Sequence, residues 1–221
     1  VQTEFAHRSI LTRVLHQDDA VIVLDKPAGL SVHRGPRMAA SLEDHLEALR
    51  QGKRHLPQPA HRLDTDTAGC LALGRTKPAL AELGRLFATG GAEKTYWAVV
   101  RGDLPEAGRC DAPLAKRSTR EEGWRMVVAP EGQAAITNWR VLGRGDGLTL
   151  VELRPRTGRT HQLRVHLAHL GAPILGDARY GGGAGAMHLL ARELRLPLAR
   201  PVRATAPVPP HMRDAVARCG G

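Results

Sequence analysis

His61-Arg62-Leu63-Asp64-Thr65-Asp66-Thr67-Ala68-Gly69, running into Cys70-Leu71-Ala72-Leu73, is the stretch that decides how this chain reads. A polar segment that gives way to a short unbroken apolar run predicts a loop entering a buried strand. Such a loop, held by a strand, aims a reactive side chain into a cleft. Asp64, two residues after Arg62, is the candidate. A lone Asp among threonines equally fits a turn, because Asp and Thr side chains bond their own backbone; Asp66 is the nearer candidate for that role. Two distant segments supply what a reactive carboxylate needs: Lys94-Thr95-Tyr96, and Arg156-Thr157-Gly158-Arg159-Thr160-His161-Gln162-Leu163-Arg164.

Around these segments the chain alternates strand and helix signals. Val21-Ile22-Val23-Leu24 reads as a buried strand stopped by Asp25-Lys26-Pro27-Ala28-Gly29. Ser41 and Asp44 have capping-box spacing ahead of Leu42, Leu46 and Leu49, with Gly52 as the stop. Pro78 opens a second helix lined by Leu80, Leu83 and Phe87 and closed by Gly90-Gly91. Tyr96 to Val100 is rich in strand formers and ends at Gly102; residues 105–132 are expected as short strands and loops. Ala135–Leu142 and Leu148–Leu153 are expected as strands joined by the turn-rich stretch 143–147. Thr160 is placed to cap a helix with Leu163, Leu167 and Leu170 on one face, ended by Gly171 and Pro173. Residues 181–186 are expected as a mobile loop, and the part from Pro197 on is rich in Pro and Arg. There is no βαβ rhythm and no repeat. The expected class is therefore α+β, with a mixed, largely antiparallel sheet core and flanking helices and loops.

Composition narrows the function. The 221 residues suit one domain, 42% of them are hydrophobic, and no run approaches the roughly 18 apolar residues of a membrane helix. The polar start, Val1 to Arg8, carries no signal core, so a cytoplasmic location is expected. Cys70, Cys110 and Cys219 are too few and too scattered for a disulfide framework or a zinc site. The net charge of +10 points to a polyanion, most simply nucleic acid. Of 32 basic residues 27 are Arg, which base composition alone would produce, but such bias does not explain the excess of positive over negative charge.

The remaining candidates carry alternatives. Arg164 lies off the leucine face of its helix, so it need not point into the core. Beside Asp64 it would keep that carboxylate ionised, as a nucleophile or general base requires; equally, Arg164 and Arg159 would bind phosphates. Tyr96 fits a core strand, yet with only 3% aromatics a tyrosine beside Lys94 also suits stacking on a base and handling a proton. His161, His166 and His169 lack a carboxylate or cysteine at ligand spacing, so no metal is expected.

Taken together, these motifs resemble the RluA family of RNA pseudouridine synthases. The resemblance rests on Lys26-Pro27-Ala28-Gly29-Leu30; on His61-Arg62-Leu63-Asp64 with Thr67 and Gly69; on Lys94, Tyr96, Ala98, Val100 and Gly102; and on Gly158-Arg159-Thr160-His161-Gln162-Leu163-Arg164 with His166 and the later Pro173-Ile174-Leu175-Gly176-Asp177. They occur in family order. Ala68 stands where the family usually has Ser, and Ser31 to Gly35 departs where many members carry a proline. The resemblance implies a single catalytic domain over residues 1–221, without the S4-type RNA-binding domain many relatives place in front. It implies isomerisation of a uridine to pseudouridine in structured RNA, tRNA or rRNA, with no cofactor and no metal, by a protein expected to be a monomer with no membrane partner. Asp64 would attack the nucleotide or assist glycosidic cleavage. Tyr96 would stack on the uracil and take its carbon-5 proton, and Arg164 would pair with Asp64. Arg62, with Arg159, His61 and Lys94, would contact the RNA. A non-catalytic RNA-binding protein on the same scaffold is the second reading, and the joint presence of Asp64, Tyr96 and Arg164 weighs against it. A metal-dependent nuclease would need converging carboxylates; Asp64 and Asp66, on alternate positions of an extended loop, point apart.

Overall fold

A computed structural model describes residues 10–35, 40–120 and 123–221. Val1–Arg8, Glu121 and Glu122, which the expectations for the start and for residues 105–132 touch, lie outside the described residues. Along the chain run β1 (Val14–Gln17), β2 (Val21–Lys26), a 3-10 turn (Leu42–His45), α1 (Leu46–Arg50), β3 (Gln58–Pro59), β4 (Ala68–Gly74) and α2 (Lys77–Thr89). Then come β5 (Glu93–Arg101), β6 (Ala107–Cys110), β7 (Leu114–Thr119), β8 (Gly123–Val128), β9 (Thr137–Gly145) and β10 (Leu148–Pro155). α3 (Gln162–His169), β11 (Leu189–Leu196), β12 (Val202–Thr205) and α4 (Pro210–Arg218) complete it. Sheets dominate and every strand pair with a resolved register is antiparallel, so the fold is α+β.

Two compact units divide these elements. The first takes the described residues to Lys94 together with Ala191–Pro207. Its strands run in the order β1-β2-β4-β11, with β12 on β11 and β3 on β4. Val21 to Leu24 are buried, and so is every residue of β4, which is why both read as unbroken apolar runs. The β1–β2 turn is set by Asp18, whose Oδ1 accepts the N–H groups of Ala20 and Val21, each at 2.7 Å. α2 starts where expected: Thr76 Oγ1 accepts the Ala79 N–H at 3.3 Å, Pro78 sits in the first turn, and Gly90 ends the helix at φ 75°. Ahead of α1 the expected capping box forms, with Asp44 accepting the Ser41 N–H at 2.8 Å and the Ser41 side chain meeting the Asp44 backbone. The helix stops one residue early, because Gln51 already takes the left-handed conformation at φ 47°.

The second unit takes Thr95–Leu190 with Val208–Gly221. β5, β10, β9 and β6 pair in that order, and β7–β8 form a separate hairpin. Ala98, Val100, Val151, Leu153, Leu163 and Leu167 share one core. Two expectations change here. The β9–β10 connection shrinks from five residues to Asp146-Gly147, at φ 54° and 71°, the two positive angles of a tight hairpin turn. Gly143 and Gly145 are therefore strand residues. A Cβ on either would lie 1.9 Å from a backbone oxygen at the end of α4, so glycine there admits the helix rather than a turn. Thr160 does not cap α3: His161 holds the N-cap position at φ 54°, and Gln162 Oε1 accepts the Arg159 N–H at 3.0 Å instead. At the start of the stretch 181–186, expected as a mobile loop, the Gly181 N–H donates to Asp177 O at 2.9 Å. The Pro- and Arg-rich stretch beyond Pro197 supplies α4 to this unit and β12 to the first.

Gly69 is the backbone position most sensitive to a side chain. It takes φ 108°, and a Cβ would lie 2.3 Å from Ala191 O. Gly69→Ala is expected to destabilise the protein by about 2–4 kcal/mol, read as a lower urea midpoint at unchanged m-value. A variant as stable as the wild type would show that β4 and β11 separate at no cost.

Candidate active site

In the first unit the Asp64 loop hangs between β3 and β4. Leu63 and Thr67 are buried on either side of it, and the Thr67 N–H closes a turn on Asp64 O at 3.1 Å. Asp64 is left half-exposed and Asp66 exposed within that turn, so Asp66 has the turn position expected of it. Lys26 holds the loop from beneath. It ends β2, is wholly buried, and its Nζ donates to Pro27 O at 2.9 Å, Leu30 O at 2.7 Å and Thr65 O at 3.0 Å. The Gly29 N–H also donates to Thr65 O, at 2.9 Å. Burial pushes the Lys26 ammonium down to about 7, against the pull of Asp66, Asp64 and Asp25. One ammonium thus satisfies three carbonyls and sets positive charge near the loop's two carboxylates.

His61, expected to contact RNA, makes contacts within the protein. Its Nε2 accepts the Ala72 N–H at 3.0 Å and its ring stacks on Phe87 at 4.0 Å. Burial, helped by the charge of Lys94, pushes the imidazole down to about 3, so it is neutral and can accept. The ring fixes the start of the motif to β4 and α2. Arg62 is exposed, and Lys94 is half-buried with its ammonium pushed down by burial.

Tyr96, Arg159 and Arg164 belong to the second unit. Tyr96 pairs with Leu153 across β5–β10 and packs, half-buried, on the core. Arg164 is buried, where the sequence left it free to face outward. Its Nε and Nη2 donate to the two oxygens of Asp177 at 2.7 and 2.8 Å, and its guanidinium carbon lies 5.1 Å from the Tyr180 ring centre. Burial alone would raise the Asp177 carboxyl, but the Arg164 bonds and charge, with the N–H groups of Tyr180 and Arg179, hold it below its ordinary value. Tyr180 Oη accepts the Met126 N–H at 3.1 Å and meets His161 Nδ1 at 2.8 Å. Arg159 is exposed, with Nε donating to Ala134 O at 3.1 Å.

His166 is structural. Nε2 meets Ala112 O and Nδ1 meets Thr137 Oγ1, each at 2.9 Å, so Nε2 carries the proton. Among the described residues no three or more His, Cys, Asp and Glu side chains gather as metal ligands would. Sequence reasoning missed Lys26 and Asp177 as working residues. Both stood inside quoted motifs; the available signal was a charged residue attached to an apolar strand or a glycine turn.

The family model for RNA pseudouridylate synthase matches residues 20–169. An uncharacterized RNA pseudouridine synthase of Zymomonas mobilis is 42% identical over 211 residues, covering 91% of this chain and 96% of that one. Ribosomal large subunit pseudouridine synthase D of Xanthomonas campestris is 37% identical, over 94% of this chain and 69% of its own. Among solved structures, Human RNA Pseudouridylate Synthase Domain Containing 4 superposes with a TM-score of 0.82 at 29% identity, covering 97% of this chain and 95% of that one. The chain belongs to the RNA pseudouridylate synthase family, as its resemblance to the RluA family implied, and it is an RNA pseudouridine synthase.

Asp177→Asn is expected to cost about 3–5 kcal/mol, because it leaves a buried guanidinium without its counter-charge. Since the folded carboxyl lies below its ordinary 3.8, its contribution is complete at neutral pH and lost as the pH falls through the folded value. Urea titrations of wild type and variant should therefore differ at pH 7 and begin to converge only as the pH falls below about 4. A gap that persists in acid would assign the loss to packing.

Proposed function

We propose that this enzyme isomerises a uridine of ribosomal RNA, with Asp64 as the catalytic carboxylate and Tyr96 and Arg164 serving the same reaction. The observation that carries the reading is the Asp64 turn: a half-exposed carboxylate on a loop whose backbone is clamped by Lys26. A fixed backbone with a reachable carboxylate is the arrangement a positioned nucleophile needs. The ribosomal target follows relatives named as large subunit synthases, and a tRNA target is the competing outcome.

The uridine is buried in a stack until it is extruded, which costs a few kcal/mol. Arg62, Arg159 and Lys94 supply charge to the backbone, and Tyr96 offers a ring for the uracil and a hydroxyl for the carbon-5 proton. Asp64 assists departure of uracil from the ribose, and the base rejoins through carbon 5. The reaction is proposed to need neither cofactor nor metal, and the enzyme to work in the cytoplasm as a monomer.

Asp64→Asn should abolish pseudouridine formation, by at least about 1,000-fold, while leaving the dissociation constant for RNA within about threefold. Mapping pseudouridine in ribosomal and transfer RNA from cells with and without the gene names the target; a variant that remains active would remove Asp64 from the chemistry. RNA affinity should also fall linearly on a log–log plot against salt, with a slope set by the phosphates contacted. A flat response would place recognition elsewhere.

A further inference from the structure

Trp124 is the one exposed large aromatic among the described residues, at 39% exposure. It projects from β8 at the pair Ser118–Trp124, and the ring is surrounded by cations. Lys116 Nζ lies 5.0 Å and the Arg179 guanidinium carbon 5.1 Å from the ring centre, while the His161 ring stacks at 5.2 Å. Arg179 also donates to Trp124 O at 2.9 Å. A tryptophan whose purpose was packing would be buried. This one is held out on a hairpin, with its π-face among positive groups.

A cleft of about 390 Å³ adjoins it, lined by Lys116, Met126, Glu131, Gln133, Arg159 and Thr160. Paired backbone bonds between Leu114 and Gln133, at 2.9 and 2.8 Å, make its floor rigid. Gly132 lies so close to Leu114 that a Cβ would approach its backbone to 2.5 Å. Glu131 is the carboxylate in the lining, and Arg117 pairs with it. Lys116 and Arg159 form no ion pair among the described residues, so the cleft keeps a net positive lining. Lys116 both lines the cleft and covers the Trp124 ring, which joins the cleft to the ring through one side chain.

We infer that this cleft and Trp124 form a subsite for a nucleotide of the RNA other than the uridine that reacts. The phosphate lies between Lys116 and Arg159, and the base stacks at Trp124 as the long side chains of Lys116 and Arg179 turn from the ring towards phosphate oxygens. The reacting uridine is excluded because the lining's carboxylate is neutralised by Arg117. The inference rests on the reading of this chain as an enzyme acting on RNA.

Two measurements test it on the intact protein. In turnover on a ribosomal RNA transcript, Trp124→Leu and Lys116→Ala should each raise KM about tenfold, with kcat kept within about twofold, while Trp124→Phe stays near wild type. Arg50→Ala, which removes an exposed charge paired one-to-one with Glu47, should leave KM unchanged. In fluorescence titration without turnover, a short oligouridylate should quench tryptophan emission in the wild type and lose most of that effect in Trp124→Leu. An unchanged KM in Trp124→Leu overturns the subsite. So does an equal loss in Trp124→Phe and Trp124→Leu, which would assign the effect to hairpin packing. A wild type that binds and quenches with oligouridylate yet isomerises no RNA would sink the proposed function and leave the subsite standing.

Discussion

The ammonium of Lys26 is the constraint on which the aspartate loop depends. Taking a lysine out of water is costly, and three carbonyl oxygens at 2.7 to 3.0 Å offset that only because the chain brings them to one point. Pro27 and Leu30 come from the turn after β2, and Thr65 from the loop before β4. Register carries the rest: Lys26 pairs with Gly69 across β2–β4, so the cation sits beside the strand that receives the loop. Gly69 in turn has no room for a side chain against Ala191. Backbone contacts on both sides thus hold the loop that carries Asp64.

The second unit applies similar physics with the signs divided differently. Arg164 and Asp177 are both buried and meet through two parallel hydrogen bonds. Asp177 also accepts the N–H groups of Arg179 and Tyr180, which folds the glycine-rich stretch after it back onto the core. A buried ion pair of this kind adds less stability than an apolar replacement of the same shape. What it does here is fix geometry: a guanidinium clamped at one edge and packed on Tyr180 has little freedom left. Lys26 and Arg164 are therefore both cations whose orientation is set by the protein before any ligand arrives.

How much of this was legible in the sequence depended on the range of the interaction. Val21–Leu24, the start of α2 at Pro78 and its end at Gly90, and the leucine face of α3 are local, and they appear where the pattern put them. Thr160 failed as a cap because Gln162, two residues on, takes the Arg159 N–H and leaves His161 in the left-handed region. The glycines at 143 and 145 suggested a turn, whereas their cause lies in α4, more than seventy residues later in the chain. Of the site, the motif residues were visible as residues. The burial of Lys26 and the Asp177 fork were not, since both are satisfied by segments distant in sequence.

The positive charge can be followed to its source. Much of the arginine excess is spent on the protein itself, yet without neutralising it. Glu193 takes both Arg195 and Arg203, and Glu152 takes both Arg140 and Arg154. A carboxylate shared by two guanidiniums leaves one positive charge behind, so strand faces that look fully paired remain basic. Such exposed pairs add little stability, and salt screens them, but they retain a field that draws in a polyanion. That field carries no information about which uridine is chosen. Discrimination has to come from positions where charge is combined with shape: the half-exposed carboxylate on its clamped loop and, on the inference drawn from Trp124, a ring and a lysine at the mouth of a rigid cleft.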